Sequence, residues 1–323
     1  MHTEFVTYTL FLDGVSKVPF SGEMSTLFPE DWLAATPGKA VTSALARIDR
    51  VAPGAEESTI AEDFPQWFVL ESLAVAVVVD AEAVIAGDFR IDEHGHSRFA
   101  VLATEGVGRR RLGRIVQRLL EIETYRAMSL LTLPVAREVA GTVARLDRDL
   151  AGLVSEMAAE TGHERQTLDR LLRISAEIEH LASTSAFRFG AAGAYEAIVS
   201  QRIQVLREQR IGGRQLFSEF MTRRFDPAMR TCRSAEERLS DLSARAERAA
   251  MQLRLQETVE GLSVVAISYY ALSLVSHIFA PVAEHFHVSE PVLLALLTVP
   301  VIVVVWYLVR RIRKKLGHGA EAP

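Results

Sequence analysis

Residues 262–280, LSVVAISYYALSLVSHIFA, and 291–309, PVLLALLTVPVIVVVWYLV, contain no Asp, Glu, Lys or Arg. In a chain with 24% charged residues, two such runs restrict what can fold around them. Each is roughly the ~20 residues a helix needs to cross a bilayer core; the competing reading is a pair of buried core helices. The flanks favour the first. RRIRKK at 310–315 follows the second run directly, and the connection PVAEHFHVSE has no Lys or Arg, so the positive-inside bias puts body and tail in the cytoplasm and the connection outside. Trp306 and Tyr307 stand where an aromatic belt belongs. The sequence thus predicts a two-helix transmembrane hairpin over 261–309 and a basic cytoplasmic tail over 310–323. It also predicts multi-pass placement in the inner membrane, with both termini cytoplasmic and the lipid bilayer as a partner.

Gly261, Ser263, Ala266, Tyr270 and Ser273 recur at spacings of two to four residues, so most share one helical face. In lipid, small and hydroxyl side chains permit close helix approach and interhelical hydrogen bonds. Their partner is either the second span of the same chain or the first span of another copy, which makes a homo-oligomer the expectation.

Upstream, the pattern predicts an α+β chain. Residues 1–105 read as a mixed α/β domain. HTEFVTYTLFL alternates like a strand, PGKAVTSALARIDRVAPG reads as a short helix, and SLAVAVVVD, EAVIAGDFRID and SRFAVLATE read as strands, the last two joined by the DEHGHS turn. Residues 106–260 read as a helical bundle and coiled-coil stalk. One helix runs to about Glu160 with a kink at Pro134, a second covers about Glu164 to Arg210, and a third starts near Asp226 and runs into the first apolar run.

The 323 residues carry a net charge of −5, and the chain before Gly261 is the more acidic part. That distribution does not suggest a nucleic-acid binder. One cysteine, Cys232, excludes an internal disulfide and suits a reducing compartment. The opening MHTEFVTYTLFLDG lacks the basic and apolar regions of a signal peptide.

Four clusters are candidates for chemistry. In GRRRLGR, Arg109, Arg110, Arg111 and Arg114 open a helix, where the macrodipole disfavours cations. They call for an anion: carboxylates of the sheet, a phosphate ligand or lipid headgroups. His277, Glu284, His285 and His287, with Glu290 beside them, offer metal-ligand types without a strict metal signature, so a polar cap on the hairpin is the alternative. DEHGHS groups Asp92, Glu93, His94 and His96, and reads as a solvated hairpin tip. EIETYR supplies helical ion pairs through Glu121, Glu123 and Arg126, with Tyr125 between them. No P-loop, GxGxxG or nucleophile elbow occurs. No catalytic constellation is read and no cofactor is expected; the small-molecule or ion ligand stays open.

HTEFVTYT, LLEIETYRAMSLLTLPVARE and VEGLSVVAISYY resemble signature segments of the bacterial family known as domain of unknown function 3422, a family regarded as membrane-anchored. The resemblance spans essentially the whole chain. It brings no activity, and it implies an additional segment before the HTEF strand. The layout is also similar to CorA-type divalent-cation transporters, although SHIFAPVAEHF stands where their Gly-Met-Asn signature would be. The functional expectation is a membrane-anchored oligomeric scaffold or assembly protein, the alternative a CorA-like channel or transporter.

Overall fold

A computed structural model describes residues 4–20, 27–52, 54–158, 164–285 and 298–307. The chain divides into two compact units, one made of Met1–Ala136 with Phe187–Ser234, the other of Arg137–Ala186 with Ala235–Pro323.

A four-stranded sheet organises the first unit. After a short helix α1 (Glu30–Ala35) come β1 (Ala44–Val51), the helical turns α2 (Glu56–Glu62) and α3 (Phe64–Trp67), and then β2 (Ala74–Val78), β3 (Ala83–Ile91) and β4 (Ser97–Thr104). The order is β1-β4-β3-β2, antiparallel except for the parallel β1–β4 pair. β2 to β4 are buried on both faces, so their runs are almost continuously apolar rather than alternating. One face packs Val75, Val84, Ala86, Ala100 and Leu102 against Ile60, Phe64, Trp67 and Phe68.

β1 occupies part of the segment expected to be a short helix. Its alanines favour a helix locally, but pairing along the whole length of β4 overrides that weak preference. The N-terminal run is also corrected: residues 5–12 belong to no strand. Phe5 instead meets the rings of Tyr125 and Tyr195 at 6.0 and 6.2 Å. The β2 edge is completed from far along the chain. Val75 and Val77 donate to the carbonyls of Gln215 and Gln209 at 2.8 and 2.9 Å, Gln209 donates back to Val77, and Val79 donates to Leu206.

Then come the helices α4 (Arg109–Leu130), α5 (Thr132–Ala158), α6 (Glu164–Leu206), α7 (Phe217–Arg224) and α8 (Asp226–His285). The break between α4 and α5 falls at Leu131, ahead of Pro134, which sits in the first turn of α5, where its missing N–H costs nothing. In the second unit the buried positions keep heptad spacing. Val139, Val143, Leu146, Leu150 and Leu153 line α5, and Ala235, Leu239, Leu242, Ala246, Ala249 and Leu253 line α8. That repeat holds a seam against partner helices, as in a coiled coil. Arg145 pairs with Glu177, Arg170 with Glu156 at 2.7 Å, and Arg245 with Asp147, linking α5 to α6 and to α8.

The transmembrane hairpin is not upheld. Among the described residues no helix is long and apolar enough to cross a membrane, so the multi-pass inner-membrane placement with cytoplasmic termini falls with it. The expectation rested on two charge-free runs of span length with a basic flank, and a charge-free run is not a uniformly apolar one. Seven of the nineteen residues 262–280 are Ser, Tyr or His; the stretch does continue the helix that starts at Asp226, as the sequence predicted, within the 60-residue α8. The described part of the second run, residues 298–307, is helical but only half a span long. The rest of that run, the basic tail and His287 lie outside the described residues.

Candidate anion site

α4 begins unfavourably for its own sequence. Gly108 caps it without a side-chain hydrogen bond, and the first turn holds arginines and no acid. Arg109 and Arg110 are exposed. Arg111, Arg114, Ile115 and Arg118 follow at i, i+3, i+4 and i+7, the spacing that stacks side chains on one helical face. That face forms one wall of a cleft of about 450 Å³. Gln204, Val205 and Arg207, from the end of α6, form the other wall, and Val79, from the β2–β3 turn, completes the lining.

The positive charge is only partly answered. The Arg111 Nε lies 2.6 Å from a Glu82 carboxylate oxygen, close but misaligned for a hydrogen bond. Arg207 pairs with Asp80 at 2.7 Å, and Arg202, next to the cleft, pairs with Glu121. Arg114 and Arg118 have no acidic partner among the described residues. Burial, then the neighbouring Arg114, Arg202 and Arg207, hold the Arg118 guanidinium below its usual value; Glu121 opposes them.

The backbone around the cleft is strained. Val79, Asp80 and Ala81 all have left-handed φ, at 53°, 61° and 67°, and Arg207 sits at 49°. For a β-branched residue such as Val79 this is a conformational outlier. Each costs on the order of 1–3 kcal/mol, and such strain collects at functional sites.

The model of a family of proteins of unknown function, DUF3422, matches residues 1–250 and 246–316. The chain belongs to the DUF3422 family. Membership carries no activity, and the role is uncharacterised. No curated protein and no solved structure matches this DUF3422 chain, and the likeness to CorA-type transporters finds no support.

The structure gathers two of the four arginines read from the DUF3422 sequence, Arg111 and Arg114, and leaves Arg109 and Arg110 outside the cleft. It adds Arg118 and Arg207. Arg118 continues the helical spacing of the other two and was legible from it. Arg207 lies about ninety residues downstream of Arg118, with no local signal to connect them.

The other clusters make most of their hydrogen bonds internally, although the buried His96 Nε2 and Arg98 Nε have no hydrogen-bond partner among the described residues. The buried Glu123 carboxylate accepts from Arg126 at 2.9 Å, from Thr42 at 3.0 Å and from Ser97 at 3.1 Å, which ties α4 to the sheet. In the DEHGHS turn, Asp92 accepts from the N–H groups of His94 and His96 at 3.0 and 2.9 Å. Asp88, a buried residue of β3, accepts from the Val69 N–H at 2.9 Å and from Arg98 at 3.3 Å. Burial pushes the Glu208 carboxyl above its ordinary value, although hydrogen bonds from Ser218 and Phe217 at the start of α7 pull it back in part.

Among the described residues there is no group of three metal-ligating side chains. His277 bonds the Ser273 carbonyl at 2.8 Å through Nδ1. Glu284 and His285 end α8. Gly261, Ser263, Ala266, Tyr270 and Ser273 are exposed, and the Ser263 hydroxyl donates to the Val259 carbonyl at 2.7 Å.

Proposed function

We propose that this DUF3422 protein is a binding protein for a phosphate-bearing anion, held in the cleft between α4, the end of α6 and the β2–β3 turn. The observation that carries this reading is the pair Arg114 and Arg118, one helical turn apart, both facing the cleft and both without a carboxylate. Two like charges at i,i+4 destabilise a helix on their own, and guanidinium groups match phosphate oxygens in a two-pronged geometry. Thermal unfolding of the full chain tests it. Inorganic phosphate at millimolar concentration raises the Tm of the wild type. The double substitution Arg114→Gln, Arg118→Gln starts at an equal or higher Tm and loses the phosphate shift. An equal shift in both proteins, or none in the wild type, overturns the reading.

A second reading, a homo-oligomeric scaffold, draws on α8. Beyond the buried seam, Leu255, Val259, Leu262, Ala266, Tyr269 and Ser273 follow the heptad spacing on another face, and Leu255, Val259, Leu262 and Tyr269 are 55–69% exposed. A second copy of the same helix is the occupant such a repeat fits, because it has the same heptad spacing as the seam packed inside the unit, on a face that the seam does not use. Sedimentation of the purified chain checks this: a dimer or larger species is expected, and Leu255→Glu with Leu262→Glu reduces it to a monomer. A wild type that sediments as a monomer at tens of micromolar removes the scaffold.

A further inference from the structure

The ligand class follows from charge and volume, and this step rests on the phosphate reading above. Four guanidiniums line the cleft, those of Arg111, Arg114, Arg118 and Arg207, and a fifth, Arg202, acts on Arg118 from beside it, against three carboxylates, those of Glu82, Glu121 and Asp80. The surplus is two positive charges, and it resides on Arg114 and Arg118. We infer that the cleft takes the dianionic phosphate monoester of a small organic molecule.

The charge of such a ligand matches the surplus. A phosphate monoester carries nearly two negative charges at pH 7, because its second proton leaves near pH 6. A phosphodiester or a carboxylate brings one charge and leaves a guanidinium unanswered. A polyphosphate brings three or more, and the three fixed carboxylates beside the cleft repel the excess.

The volume leaves room for more than a bare oxyanion. About 450 Å³ lies within the range of sites that take whole small molecules, far more than one phosphate fills. Val79, Ile115 and Val205 give the remainder apolar lining, while Gln204 can donate to or accept from a hydroxyl or ring nitrogen. The phosphate goes to the Arg114–Arg118 side and the organic part toward the valines.

Calorimetric titration of the full chain at low salt tests this with three monoesters: phenyl phosphate, glucose 6-phosphate and adenosine 5′-monophosphate. At least one binds tenfold or more tightly than inorganic phosphate at pH 7.5. Its methyl diester, with the same organic part and one charge fewer, binds at least tenfold more weakly. Lowering the pH to 5.5 weakens the monoester and leaves the diester unchanged, and Arg118→Gln brings the two together. Diesters that bind as tightly as their parent monoesters, or no monoester better than inorganic phosphate, overturn this assignment and leave the phosphate reading standing. No response to inorganic phosphate in the wild type removes both.

Discussion

Ala81 is exposed and held at φ 67°, where an alanine pays for its Cβ meeting the following carbonyl. That costs about 1–2 kcal/mol, while glycine is free of it and loses about 0.5–1 kcal/mol more entropy on folding. Ala81→Gly is therefore expected to stabilise the first unit by roughly 0.5–1 kcal/mol, read as a higher urea midpoint. Glu208 gives a prediction in pH. Its folded carboxyl titrates above the ordinary value that it has in the unfolded chain. Between those two values the folded state holds a proton that the unfolded chain has released, so the stability this group contributes falls as pH rises through the window. Above the raised value the contribution is flat. The stability of the wild type minus that of Glu208→Gln should accordingly decline from about pH 4 upward; a difference independent of pH would show that the carboxyl is not lifted. None of this was legible in the sequence. Left-handed φ at Val79 and Ala81 has no residue signature, since neither is glycine or asparagine, and the burial of Glu208 depends on α7, a helix the periodicity did not announce.

At the scale of elements, β3 and β4 meet through a glycine. A Cβ on Gly87 would stand 2.6 and 2.7 Å from two ring atoms of Phe99. That ring has no exposure and no room to retreat, with Phe89 edge-on at 5.4 Å. Gly87→Ala should cost about 1–3 kcal/mol by overpacking, and Phe99→Leu in the same chain should recover part of the loss. A neutral Gly87→Ala, measured by chemical denaturation, would mean that the strands can part there. β2, β3 and β4 were readable because buried strands write themselves as apolar runs between turn residues. The long helices were readable by their periodicity, and Arg111, Arg114 and Arg118 share a wall of the cleft for the same reason. β1 was misread because the alanines of ALARIDRV lean towards helix, and only its parallel partner β4, about fifty residues on, overrides them. HTEFVTYTLFL failed in the opposite way: its alternation suits a strand, yet Phe5 finds its burial among tyrosines instead.

For the whole molecule, family membership was legible from three short segments, whereas the membrane hairpin was not sustained. A run free of charge is a necessary feature of a span and not a sufficient one. Four serines, two tyrosines and a histidine in 262–280 show how such a run can be written without being uniformly apolar. The pairing of α4 with the end of α6 in one cleft was out of reach for the same reason as β1. It is a contact between segments that nothing local connects.

The edge of β2 closed by Gln209 and Gln215 has a consequence during synthesis. When β2 to β4 leave the ribosome, their outer edge has no partner, and the residues that will cover it have not been made. At about 5–20 residues per second the interval is roughly 5–25 s, during which Val75 and Val77 present open hydrogen-bonding groups on an apolar strand. Such an edge recruits neighbouring strands. Nascent chains stalled with residue 190 just outside the exit tunnel should therefore bind chaperones and be cut by protease within 74–104. Those stalled with residue 240 outside should be protected there. Equal protection at both lengths would show that the sheet closes without its late-arriving border.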